Sequence, residues 1–301
     1  MMGWRLVLRL IAMLAIMPVV LGQVGRSYPL LDNFNALLVP TLILLCLLLA
    51  LCLFRRDWLA GAMVATGLLI GTIQLMVSLT GFPNMTGAGR LRVVTLSTWH
   101  ANPDPAALAR VIEAQAPDIL LLQETNGTAA AMADTALRGY FRLKSCPQKQ
   151  CSEMIISRWP LRRIAAPDAA GRKLPDILAA RVDAPFGPVH VINVHLPRPA
   201  RDMAIPFRNE LIAMVSHIDD GRLIMAGDFN LGTGSLALAD LARRSGLRRI
   251  EGFIPTYPAN LPIPAFIAID HIFAGREWAA ATCHGVDANS SDHHGIACDL
   301  R

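Results

Sequence analysis

The 301-residue chain is 53% hydrophobic and only 17% charged, with a formal net charge of +5. That balance is too apolar for one ordinary soluble domain and predicts a membrane part joined to a globular part. Five Arg and two Asp, with no Lys or Glu, precede residue 88, leaving 23 basic and 21 acidic residues after it. The globular part is thus nearly neutral, which argues against the strong basic excess of a nucleic-acid reader.

Three apolar segments open the chain: residues 6–24, 34–54 and 58–80. Each approaches the ~20 residues that cross a bilayer as a helix. The second and third carry no charge; the first contains Arg9 and is expected to be an uncleaved anchor rather than a signal peptide, because no Ala-x-Ala site follows it. Pro18 and Pro40 are tolerable in such spans. Gly67 and Gly71 fit a small-residue helix-packing spacing. The expected division is a membrane region over 1–82, a linker over 83–90 and a globular domain over 91–301.

Flanking charge sets the orientation. Arg5 and Arg9 lie at the start of the first segment and Arg55 and Arg56 between the second and third, whereas Arg26 faces Asp32 in the intervening loop. The positive-inside rule puts the N-terminus and the Arg55–Arg56 loop in the cytoplasm, and three crossings export the domain. Cysteine usage agrees: Cys146, Cys151, Cys283 and Cys298 form an even set in that domain, suited to an oxidising compartment. A local Cys146–Cys151 bridge fits the loop between them, and a Cys283–Cys298 bridge requires neighbouring strands. Their spacing does not resemble a structural zinc site.

Within the domain, "LRVVTLSTW" (91–99) reads as a strand and "DPAALARVIEAQA" (104–116) as an amphipathic helix capped by Asp104 with Pro105 in its first turn. Further strands are expected over 118–124, 153–158, 177–184, 187–196, 222–229, 268–275 and 295–300, with helices over about 207–218 and 235–245. Hydrophobic strands interleaved with helices predict a layered α/β (α+β) domain with one substantial core.

Polar residues gather where these strands end. Glu124, His195, Asp228 with Asn230, Asp270, and Ser291-Asp292-His293 each close or precede a strand. Singly, each reads as turn chemistry or a surface residue. Together they supply oxygen ligands for a hard cation and imidazoles for proton or phosphate work, the components of metal-assisted phosphate-ester cleavage.

The ordered series "PDILLLQE", "EMIISRWPL", "VINVHL", "MAGDFN", "IDHIFA" and "SDHHGIACDL" resembles the endonuclease/exonuclease/phosphatase superfamily, in particular its membrane-anchored bacterial members. The resemblance covers nearly all of residues 91–301 and leaves the apolar segments outside. It implies a four-layer αββα sandwich; with the three N-terminal transmembrane helices read from hydropathy and the export read from flanking charge, the expected place is a bacterial inner membrane with the domain on the periplasmic or extracellular side. It also implies an Mg²⁺- or Mn²⁺-dependent phosphoesterase. Glu124 would be the principal metal ligand, with Asp292 and Ser97 beside the metal. Asp228 would activate water, Asn230 and His195 would hold the phosphate, and Asp270 would orient His293.

One position departs from the family pattern. The first strand normally ends in Asn, and this chain has Ser97, which lacks the amide's reach. Asn102, five residues on, is the expected compensating substrate contact. A membrane tether and the apolar, Pro-rich segment 251–270 favour a lipid or envelope phosphate ester. An exported nuclease acting on DNA or RNA is the alternative, and a non-catalytic membrane receptor with a degenerate site is the second.

Overall fold

The computed structural model describes residues 2–79, 89–145, 152–165, 177–199, 204–218 and 220–301. It divides into two compact units, one holding the N-terminal helices together with Leu231–Asp240, the other holding the sheets.

In the first unit, α1 (Met2–Gly22) and α4 (Trp58–Ser78) correspond to the expected spans 6–24 and 58–80. Both are long and apolar enough to cross a membrane. The expected span 34–54 is instead broken into α2 (Pro29–Ala36) and α3 (Leu38–Phe54), bent by 61°. The described residues therefore hold two straight candidate spans, not three, and a third only if this bent pair counts as one. Pro40 explains the break: it has no N–H for the Ala36 carbonyl and its ring crowds that oxygen, so it is accommodated in the first turn of a new helix. Pro18, by contrast, lies inside an uninterrupted α1.

Arg9, the charge within the first segment, pairs with Asp57 at 3.2 Å. Asp57 also caps α4 by accepting from the Ala60 N–H at 3.2 Å, the usual service of Asp at that position. Gly67 and Gly71 are spent inside the bundle, since a Cβ on either would lie 2.8 Å from Ile16 or Leu42. Leu231–Asp240 belongs here because its backbone is tied to the helices. Gln74 donates to the Gly234 carbonyl at 2.6 Å, Ser235 hydrogen-bonds Asp32, and Arg26 pairs with Asp240 at 3.2 Å.

The second unit is a pair of six-stranded sheets. The first contains β1 (Leu91–Ser97), β2 (Ile119–Gln123), β3 (Phe141–Lys144), β4 (Met154–Ser157), β11 (Ala281–Val286) and β12 (Gly295–Leu300), in the order β11-β12-β1-β2-β4-β3. The second contains β5 (Leu161–Ile164), β6 (Leu178–Ala184), β7 (Gly187–His195), β8 (Leu223–Asp228), β9 (Arg248–Arg249) and β10 (Asp270–Ala274), in the order β5-β6-β7-β8-β10-β9. Val93, Leu121, Ile155, Val191, Ile224 and Ile272 meet between the sheets, as the two-residue strand period requires.

The alternate positions Val94, Leu96, Leu120 and Leu122 pack outward against Leu108 and Ile112 of α5 (Pro105–Gln115) and Ala133 of α6 (Gly127–Ala136). Helix α7 (Ala204–Ile218), which buries Phe207, Leu211, Met214 and Val215, meets β8 and α8 (Leu236–Ser245) at a cleft lined by Val215, Leu223 and Ser245. This is the four-layer αββα arrangement. Asp104 caps α5 by accepting from Ala107 N–H at 2.9 Å, as its sequence predicts.

Cys283 and Cys298 face each other across β11 and β12 and are disulfide-bonded. Cys146, Cys151 and most of the linker lie outside the described residues.

Candidate active site

Strand register brings the polar residues together. Strands β7 and β8 run parallel with His195 opposite Asp228, and β10 runs antiparallel to β8 with Asp270 opposite Asp228. Asp228 therefore sits between His195 and Asp270 by backbone pairing alone. On the other sheet, β1 and β2 run parallel with Ser97 opposite Gln123, which places Glu124 just past that edge. Strand β12 returns antiparallel to β1, so the residues before it reach the same edge. There the Ser291 hydroxyl donates to the Ser97 carbonyl at 2.7 Å.

Backbone conformation sharpens the placement. Trp99, Glu124 and Asn230 all have positive φ, at 57°, 51° and 50°, a region that non-glycine residues seldom occupy and that concentrates at functional sites. Gly227, at φ 147°, immediately precedes Asp228; any Cβ there would collide with the Val194 carbonyl. The close approach of β7 and β8 thus demands glycine.

The two sheets are also stitched by polar groups directly beneath the site. Gln123 donates to Asn193 at 2.6 Å, and Asn193 donates to the carbonyls of Leu122 and Met154 at 2.8 and 3.1 Å. Asn193 lies two residues before His195, and Gln123 immediately before Glu124, so this buried bridge fixes the residues that carry both.

Asp270 Oδ2 lies 2.8 Å from Nδ1 of His293. Ligand atoms of Asp228, Asp270 and His293 all fall within 4.8 Å of one another. Burial opposes a charge on His293, but the carboxylates of Asp270, Asp228 and Asp292 outweigh it and push its pKa up to about 10. Asp228 is raised to about 6, chiefly by burial, with Asp270 adding to and His293 opposing the shift. Asp292 is also raised, again by burial first and then by Glu124. For Glu124 burial is the largest influence, yet hydrogen bonds from His100 and the nearby His195 outweigh it and hold its carboxyl below the usual range.

His195 stands 3.6 Å from Glu124 and 3.9 Å from Asp228. Asn230 accepts no role in the core: its side-chain amide donates to the Leu196 carbonyl at 2.9 Å and to Asp228 at 3.1 Å, while its N–H donates to Asp228 at 2.8 Å. The Tyr257 ring packs 5.1 Å from that of His293, and the Ala259 N–H donates to the Asp292 carbonyl at 2.7 Å. The 251–270 segment is therefore beside the site.

Two expected residues are placed differently from the rest. Asn102 has its amide donating to the Thr98 carbonyl at 2.9 Å and its side-chain oxygen accepting from the Asp104 N–H at 2.9 Å. Its polar atoms serve the turn that follows β1. Ser97 is fully buried, and its hydroxyl has no hydrogen-bond partner. His271, adjacent to Asp270, is buried against Glu251 with Nδ1 2.8 Å from Oε1. Sequence reasoning missed His100, whose ring Nδ1 is 3.0 Å from Glu124 Oε2; only its nearness to the end of β1 could have drawn attention to it.

The donor set fits a divalent cation. Glu124 presents an ionised, partly exposed carboxylate, and Asp292 Oδ1 is buried without a hydrogen-bond partner, the condition of a ligand atom that awaits a cation.

The model of the Endonuclease/Exonuclease/phosphatase family matches residues 91–293. Comparison with curated proteins returns no match. Among solved structures, an endonuclease/exonuclease/phosphatase from Beutenbergia cavernae is 24% identical, with 70% of this chain and 71% of that one covered at a TM-score of 0.54. An endonuclease/exonuclease/phosphatase family protein from Leptotrichia buccalis is 15% identical, with 70% and 99% covered at 0.55. TDP2 from D. rerio, complexed with a single-strand DNA product, is 17% identical, with 70% and 98% covered at 0.54. The ordered site on a two-sheet sandwich and the family match lead to one statement: the chain belongs to the endonuclease/exonuclease/phosphatase family.

Proposed function

We propose that the protein is a membrane-held, Mg²⁺- or Mn²⁺-dependent phosphoesterase acting on a phosphate ester of a lipid or envelope molecule. The observation that carries the chemistry is the Asp228–Asp270–His293 cluster with Glu124 and Asp292 beside it. Distance alone would let the cluster hold a cation. A His293 kept protonated by Asp270 is a poor ligand, however, because a metal needs a free nitrogen lone pair. The cation belongs on Glu124 and Asp292, where it would neutralise charge on the phosphoryl group.

Asp228, ionised above about pH 6, takes a proton from the attacking water, and its contacts with Asn230 hold its orientation. Asn230 and His195 bind phosphate oxygens. His293, charged and aimed by Asp270, stabilises the developing negative charge and donates a proton to the leaving oxygen. Ser97 lies buried at the end of β1, on the strand edge next to Gln123 and Glu124.

The lipid assignment rests on the loop that adjoins His293. Leu261 and Ile263 are each 50% exposed and Phe266 is 37% exposed, an exposed apolar run in the segment whose Ala259 N–H donates to the Asp292 carbonyl, and such a run suits an acyl chain or a bilayer surface. The near-neutral domain releases few counterions, which disfavours tight polynucleotide binding at physiological salt.

The test uses the full chain in detergent–phospholipid mixed micelles at matched Mg²⁺ and about 0.15 M salt, where exposed charges are screened beyond ~8 Å. Phospholipid hydrolysis should outpace plasmid nicking, and both should vanish in Asp228→Asn. Leu261→Asp with Ile263→Asp should depress lipid turnover while sparing a small soluble phosphodiester. Efficient DNA cleavage that depends on Asp228 and His293, without lipid product, would overturn the lipid assignment in favour of a nuclease. Loss of neither activity on EDTA treatment would sink the metal-dependent reading.

A further inference from the structure

Three features at the end of β1 converge on His100. Ser97, where the family resemblance expects an amide side chain, is fully buried, and its hydroxyl finds no hydrogen-bond partner. The chain then turns through Trp99 in the left-handed region, φ 57°, a conformation that strains a large non-glycine residue. The turn is held on every side: Asn102 donates to the Thr98 carbonyl at 2.9 Å, the Asn102 N–H donates to the Trp99 carbonyl at 2.9 Å, and Asn126 donates to the His100 carbonyl at 2.8 Å.

What the turn delivers is an imidazole on the carboxylate of Glu124. The His100 N–H donates to Glu124 Oε2 at 3.3 Å, and ring Nδ1 lies 3.0 Å from the same oxygen. An ordinary exposed His–Glu pair contributes little to stability and would not justify so constrained a turn. The side chain is 75% exposed, so a ligand can reach it.

We propose that His100 contributes a nitrogen ligand to the divalent cation held by Glu124, supplying the donor that Ser97 does not. The inference rests on the metal-dependent reading above. It predicts a site of mixed nitrogen and oxygen donors. Mg²⁺ is served by oxygen donors and retains its waters, whereas first-row transition ions accept imidazole. The site therefore favours Mn²⁺ over Mg²⁺.

Pulsed electron paramagnetic resonance on the full chain in detergent, loaded with Mn²⁺ alone, tests this. The wild type should show ¹⁴N coupling to the bound ion. His100→Ala should lose it, and His195→Ala should keep it. Mg²⁺ competition should show the Mn²⁺ preference falling about tenfold in His100→Ala, the scale on which residues around a metal affect its affinity. His100→Gln, which keeps a hydrogen-bond donor near Glu124 but no imidazole, should behave as the alanine variant does and provides the result if alanine misfolds. Bound Mn²⁺ with ¹⁴N coupling unchanged in both His100 variants, or lost only in His195→Ala, overturns the proposal while leaving the metal-dependent reading intact. No Mn²⁺ bound by the wild type overturns both.

Discussion

Asp270 and His293, 23 residues apart in sequence, meet inside the protein with carboxylate oxygen and ring nitrogen 2.8 Å apart. The carboxylate fixes which nitrogen carries the proton and stabilises the charged ring. Asp270→Asn keeps the shape and removes the charge. Turnover of a simple phosphodiester should fall by about 10²- to 10⁴-fold, the usual worth of a positioned acid or base, with circular dichroism unchanged.

The same pair sets a pH dependence in the metal-free protein. His293 has a folded pKa of about 10 against 6.5 unperturbed, so its stabilisation is full below pH 6.5 and drains away as pH rises towards 10. Asp228, at about 6 against 3.8, contributes in the same sense over the lower window and is spent above pH 6. Thermal unfolding in EDTA at pH 6, 8 and 10 should show a falling midpoint, and Asp270→Asn should flatten the decline. For the metal-loaded enzyme, activity should rise through about pH 6 as Asp228 ionises.

Glu124→Gln removes charge at the proposed metal ligand and leaves shape. Mn²⁺ affinity measured by calorimetry should fall at least about tenfold, with hydrolysis abolished at physiological metal concentrations. Unaltered Mn²⁺ binding would move the metal site away from this strand end.

Asn193→Ala should be destabilising without touching substrate. It leaves the Leu122 and Met154 carbonyls and the Gln123 amide short of a partner, each a buried group whose loss of pairing costs about 1–3 kcal/mol. Denaturant unfolding should register the loss, whereas Asn193→Asp would add a buried charge and do worse.

Topology follows from the Arg5, Arg9, Arg55 and Arg56 asymmetry. A reporter active only outside the cytoplasm should work when fused at residue 301 or in the 25–33 loop, and fail at 56. A cytoplasmic C-terminus would refute the export of the domain, and the bent α2–α3 pair would then be a re-entrant element rather than a crossing.

The strand ends where the candidate site residues gather were legible because each is a long buried run that stops at a carboxylate, amide or imidazole. What escaped was local and short. Strand β3 is four residues with no buried member, β9 is two residues, and β11 is largely exposed, so none has an apolar period to read. Helix α6 is Ala-rich and buries only Ala129 and Ala133, too faint a stripe to stand out. The break in the expected span 34–54 escaped for the opposite reason: hydropathy was ample, and one proline decided the backbone. Gln123 and Asn193 give no signal in the sequence, because a side chain that crosses from one sheet to the other leaves no pattern in either strand. His100 lies in a loop, where spacing carries no directional information.

The attachment of Leu231–Asp240 to the N-terminal helices has a practical corollary for protein production. Excising residues 91–301 would leave Gly234 without the Gln74 amide, Ser235 without Asp32 and Asp240 without Arg26. It would also bare a glycine surface at Gly232 that Ala36 now covers. That raw patch begins one residue after Asn230. Preparations made by trimming away the hydrophobic N-terminus should be prone to aggregate and to misplace the very loop that leaves the strand carrying Asp228, so a silent fragment would say nothing about the intact chain.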